Sequence, residues 1–110
     1  MSNLSELKAR EKAFESKFAH DEALKFKVAA RRNMKIGLWV AEAMGKVDYD
    51  AESYAKTVVL ADLQEPGAED VIRKLLADVS NVGLIIGEID IRQKMAEFYI
   101  EAAEEVQQEV

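Results

Sequence analysis

The chain has 110 residues, of which 49% are hydrophobic and 33% charged, and it contains no cysteine. That suits one modest folded domain and excludes disulfides, thiol nucleophiles and iron–sulfur ligation. The net charge of -6 is uneven: residues 1–41 hold nine basic and five acidic side chains, residues 42–110 six basic and sixteen acidic. A phosphate backbone would be repelled by the acidic part, so no nucleic-acid partner is expected. The interleaved charges of the first part suit an acidic protein groove better. The opening MSNLSELKAREK places charges ahead of any apolar run, so no signal peptide is expected. No stretch has the length and apolarity of a membrane span, which points to the cytoplasm without direct membrane insertion.

The first segment, from about Asn3 to Ala19, reads as a helix capped by Asn3 or Ser5. Leu4, Leu7, Phe14 and Phe18 fall on one narrow stripe, surrounded by Glu6, Lys8, Arg10, Glu11, Lys12, Glu15 and Lys17. Such a rod is marginal in water unless something covers the stripe. At Ala19-His20-Asp21-Glu22 the stripe stops, at a break capped by Asp21 or at a continuous helix whose buried face changes partner. His20 is the only histidine, and beside a helix joint it reads as a cap, packing or surface group.

A second helix is expected near 21–44, burying Leu24, Val28, Ile36, Trp39, Val40 and Ala43, with Gly45 as its stop. Arg32 lies four residues from both Val28 and Ile36, in the core-facing row. Either its stem lies over apolar surface while its head reaches an acid, or Arg31, Arg32 and Asn33 clamp a phosphate or carboxylate. A third helix near 51–64 is given Asp50 as cap and a Tyr49–Tyr54 staple, and is expected to end at Glu65-Pro66-Gly67. The fourth, near 68–81, shows a strong apolar pattern at Val71, Ile72, Leu75, Leu76 and Val79. Leu84-Ile85-Ile86 reads as a buried connection. The last helix, near 88–108, is expected to bury Ile91, Met95, Phe98, Ala102 and Val106. The fold class is therefore all-α: a compact four-helix bundle over residues 20–110, preceded by an arm over 1–19.

No catalytic constellation is visible. Glu101, Glu104 and Glu105 have a metal-compatible spacing but read as a solvated face, and no glycine-rich phosphate loop precedes a lysine. The chain reads as a non-enzyme with neither cofactor nor metal.

The run REKAFESKFAHDEALKFKVAARRNMKIGLWVAEAMG, from Arg10 to Gly45, resembles the opening of the ATP synthase inhibitor subunit zeta family of alphaproteobacteria. The matching pattern is Ala13-Phe14-Glu15, Lys17 to Asp21, Phe26-Lys27, Arg31 to Asn33, Gly37 to Trp39, Ala41-Glu42 and Gly45. It continues more sparsely through YAKTVVLADLQEPGAEDVIRKLLAD and IRQKMAEF, with Gly87 standing where the family commonly has serine. The resemblance implies a four-helix bundle whose N-terminal segment is mobile in the free protein. That segment inserts between the alpha and beta subunits of the catalytic head, near the gamma stalk, and blocks ATP hydrolysis more than synthesis. It also implies weak nucleotide binding in the bundle of some members.

On this reading Leu4, Leu7, Phe14 and Phe18 anchor the arm in a partner groove, as helix-in-groove recognition requires. Lys8, Arg10, Glu11, Lys12, Glu15 and Lys17 set register and exclude wrong grooves. Phe14 and Phe18 have an alternative, packing back on their own bundle. The free protein is expected to be a monomer, with the anchors accounting for its exposed apolar surface. Competing readings are a sensor of nucleotide or an acidic metabolite through Arg31, Arg32 and Asn33, and a purely structural assembly partner.

Overall fold

A computed structural model describes residues 3–64 and 67–110. The expected turn at Glu65-Pro66 and the first two residues of the arm lie outside the described residues. Among the described residues five helices follow one another: α1 (Leu4–Lys17), α2 (Glu22–Ala43), α3 (Asp48–Gln64), α4 (Ala68–Asn81) and α5 (Glu88–Glu109). Helices α2 to α5 form the bundle, and α1 lies along its flank on α5.

Local chemistry explains most of the boundaries. The Asn3 side chain accepts the Glu6 N–H at 2.8 Å, closing the start of α1. Asp21 does the same for Leu24 at 3.1 Å, so the joint between α1 and α2 is a true break. Gly45 ends the α2 region with φ of 81° and Gly83 ends the α4 region with φ of 76°, a backbone that side chains with a Cβ disfavour. Glycine at 87 leaves α5 without a side-chain cap, and Glu88 and Asp90 supply negative charge in its first turn instead.

Two expectations fail at α3. The helix starts at Asp48, so Asp50 lies inside the first turn rather than capping it, its N–H bonded to the Val47 carbonyl at 3.1 Å. Tyr49 then faces solvent and forms no staple. Tyr54 instead donates its hydroxyl to Asp78 of α4 at 2.7 Å. Burial and that bond raise its pKa. The connection expected to be buried is only partly so: Leu84 and Ile86 pack on the core, but Ile85 between them is 100% exposed. Three consecutive extended residues cannot all face one side.

The main core joins Ile36 and Val40 of α2, Val58 of α3, Val71, Ile72, Leu75 and Val79 of α4, and Ile91 and Met95 of α5. Trp39, Met44, Tyr54 and Phe98 close its edges, half-buried. Ala43 is exposed. None of the buried residues in this core comes from α1.

Helices α2 and α3 approach closely at Gly37. A Cβ placed there would stand 2.7 Å from the Ala55 Cα, well inside van der Waals contact. Glycine inside a helix costs about 1 kcal/mol relative to alanine, and here the close approach requires it. Gly37→Ala is expected to lower stability by about 1–3 kcal/mol, because overpacking outweighs the propensity gain. Urea unfolding followed by circular dichroism checks this, through a lower midpoint at unchanged slope.

Candidate functional site: the first helix and its seat

The apolar stripe of α1 is covered by its own chain. Leu7 is 3% exposed against Ala96 and Ile100, and Phe18, the residue closing α1, is 5% exposed against Val28, Tyr99, Ala102, Ala103 and Val106. Phe14 bridges the two contacts and stacks on Phe18 with ring centroids 6.3 Å apart. Leu4 packs beside Leu7, half-buried. The expectation that these four residues form the exposed apolar surface is therefore corrected. The reason lies on α5, where Ala96, Ala102 and Ala103 leave room for large side chains from a neighbouring helix. Burying a side chain of this size contributes on the order of 1.5–3 kcal/mol. Such contacts stabilise a helix of 14 residues that is marginal alone.

The charged residues of α1 divide by face. Lys12, Glu15 and Lys17 are exposed. Lys8 pairs with Glu11 at 3.3 Å, and Arg10 approaches Glu104 of α5 at 3.6 Å. Glu11 alone is largely covered, its side chain 13% exposed. With Glu15 it acts electrostatically on Arg32 and Tyr99, inside the bundle. Burial, with the Glu15 and Glu11 charges adding, pushes the Tyr99 hydroxyl up to about 12.

Arg31 and Arg32 do not converge. Arg31 turns to the end of α5 and pairs with Glu109 at 2.7 Å and Glu105 at 3.4 Å. Arg32 is 8% exposed, donates its Nε–H to Asn33 Oδ1 at 3.0 Å and lies 3.9 Å from Asp62. Asn33 in turn donates to Asp62 at 3.0 Å, and Asp62 also accepts the Gly67 N–H at 3.0 Å. Burial lowers the Arg32 pKa, opposed by Asp62 and then Glu11. A cavity of about 390 Å³ opens beside Arg32, but Glu22 and Asp62 line it together with Lys25 and Phe26. Two carboxylates and the two cations Lys25 and Arg32 share that wall, so its charges balance.

The glutamates of α5 are structural counterparts of α2. Lys35 reaches Glu101 at 2.7 Å and Glu105 at 2.9 Å, Arg31 holds Glu105 and Glu109, and Lys27 pairs with Glu109. Descending numbers on α2 meet ascending numbers on α5, so the two helices run antiparallel. Sequence reasoning missed this ladder, although basic residues at 27, 31 and 35 share the four-residue spacing of acids at 101, 105 and 109. His20 is exposed in the turn between α1 and α2. Among the described residues, no three histidine, cysteine or carboxylate side chains are grouped as a metal site would require, and no helix is long and apolar enough to cross a membrane.

The molecule is an all-helical bundle carrying a further helix on its flank. The family model described as ATPase inhibitor subunit zeta matches residues 4–105, and the chain belongs to that family. It is an inhibitor subunit of the ATP synthase and not an enzyme. No curated protein matches the chain.

Asp62→Ala leaves Arg32, Asn33 and the Gly67 N–H short of an acceptor, and is expected to cost about 2–4 kcal/mol in urea unfolding. Acid weakens the α2–α5 ladder with a defined sign. Hydrogen bonds from Arg31 and Lys27 hold the Glu109 carboxyl down at about 2, against an ordinary 4.5. Its contribution is present above about 4.5 and lost as the pH falls toward about 2. Glu109→Gln should therefore flatten part of the fall in urea midpoint across that window.

Proposed function

We propose that α1 is the inhibitory element, inserting between the alpha and beta subunits of the ATP synthase catalytic head beside the gamma stalk. The observation that carries this reading is the composition of α1: a capped helix whose aromatic and leucine stripe is flanked by alternating charges. Its contacts run to α5, and it contributes no buried residue to the main core, so α1 can act on a partner while the bundle stays folded. Leu4, Leu7, Phe14 and Phe18 are the anchors. Lys8, Arg10, Glu11, Lys12, Glu15 and Lys17 set register against the partner groove.

The inhibitor stabilises no transition state. It binds one conformation of a rotary cycle better than the others and so holds the cycle there. Its place of work is the cytoplasmic side, peripheral on the membrane-bound enzyme. The competing reading, nucleotide sensing by Arg31, Arg32 and Asn33, has less support, because Arg31 goes to Glu105 and Glu109 whereas Arg32 and Asn33 go to each other and to Asp62.

ATP hydrolysis by the isolated catalytic head of an alphaproteobacterial ATP synthase, measured under turnover, tests the assignment. The full chain should inhibit strongly, and a chain lacking residues 1–19 should keep its helical circular dichroism and inhibit at least tenfold less. Phe14→Ala with Phe18→Ala should weaken inhibition by a comparable factor, since truncating two central aromatics each costs about 2 kcal/mol or more. Full inhibition by both variants would place the inhibitory surface elsewhere.

A further inference from the structure

The side chains assigned to the partner groove are the same ones that hold α1 on α5. Leu7 cannot lie against Ala96 and Ile100 and in a foreign groove at once, and Phe18 is committed in the same way to Tyr99, Ala102 and Ala103. Glu11 is also turned inward, most of its surface covered. The two modes of burial exclude one another.

The seat is separable from the rest of the molecule. The buried cluster around Leu7 contains only α1 and α5 residues, that around Phe18 adds Val28 and Leu24 of α2, and the main core is closed without α1. The joint is prepared for the same separation: Asp21 caps α2 through its own side chain, so α2 begins independently of what α1 does. Exposed turn residues Ala19 and His20 connect the two helices.

We propose that the contact of α1 with α5 is an autoinhibitory latch, and that inhibitory potency is set by the fraction of molecules in which α1 has left its seat. This rests on α1 being the inhibitory element. Binding through a minor state multiplies the apparent dissociation constant by the reciprocal of that state's population. Loosening the seat from the bundle side must then strengthen inhibition, whereas damaging the anchors on α1 weakens it. Those opposite signs distinguish a latch from a surface that serves only the partner.

The test uses the full chain with Ile100→Ser or Ala96→Glu, neither of which alters α1. Amide hydrogen exchange over residues 4–17 should quicken while the protected amides of α2 to α5 do not, and the half-inhibitory concentration should fall by roughly tenfold, approaching the intrinsic value. Released α1 with unchanged or weaker inhibition would overturn the latch while leaving the inhibitory assignment standing. Absence of inhibition by the natural chain and both variants would instead remove the assignment on which the latch rests. Should both variants unfold, the natural chain still decides the matter. The onset rate of inhibition should level off with inhibitor concentration, limited by undocking, and a rate that rises linearly throughout would overturn the latch.

Discussion

The last helix is apolar around more of its circumference than the bundle can cover, and the remaining arrangement depends on how that surface is closed. Ile91 and Met95 of α5 enter the core shared with α2, α3 and α4, while Ala96, Tyr99, Ile100, Ala102 and Ala103 belong to the two clusters that receive α1. A helix with buried positions on two faces needs two partners. The small alanines on the second face make that partner replaceable, because they offer space and not interlocking shape. A helix presenting leucine and phenylalanine at the right spacing can fill it, and can also leave it.

Around this helix the polar interactions have a positional role. Lys27, Arg31 and Lys35 of α2 meet Glu101, Glu105 and Glu109 of α5 in antiparallel register. Individual exposed ion pairs contribute little to stability, and since both rows repeat every four residues the ladder fixes which faces of α2 and α5 meet more than it fixes their register. Arg32 has another task. It is drawn into the bundle by its place in the apolar row and is held there by Asn33 and Asp62, so the polar triad ties α2 to α3 below the close approach at Gly37. The arginine pair thereby divides between two interfaces. A phosphate clamp would need both heads in one place.

Membership of an ATP synthase inhibitor family gives the two-sided character of α5 a functional sense. An inhibitor that docks by an amphipathic helix carries an exposed apolar stripe as a hazard, open to self-association. Seating the stripe on Ala96, Tyr99, Ile100, Ala102 and Ala103 of α5 covers it. On the proposed latch, the docked state protects the chain and the undocked state presents the anchors. If the same side chains serve both, as proposed, the balance between them is tunable from α5 without touching α1.

Much of the local structure was legible in the residues themselves. Asn3 and Asp21 cap helices because a short polar side chain can reach back to the first free N–H groups, and Gly45 and Gly83 end them because only glycine takes positive φ without strain. The burial of Val28, Ile36, Val58, Leu75, Ile91 and Met95 follows the helical period. Where local signals compete, they do not fix a boundary: Asp48 and Asp50 are both credible starts for α3, and the helix begins at Asp48 with the Val47 carbonyl accepting from the Asp50 and Ala51 N–H groups. The stripe on α1 marks a further boundary. Its residues establish that Leu7, Phe14 and Phe18 must be covered, since a narrow apolar row on a charged rod does not stand alone in water. What covers them was decided only by the tertiary structure. The answer lies about ninety residues away in the alanines of α5, and a helical period specifies the face to be buried but carries no information about the surface opposite.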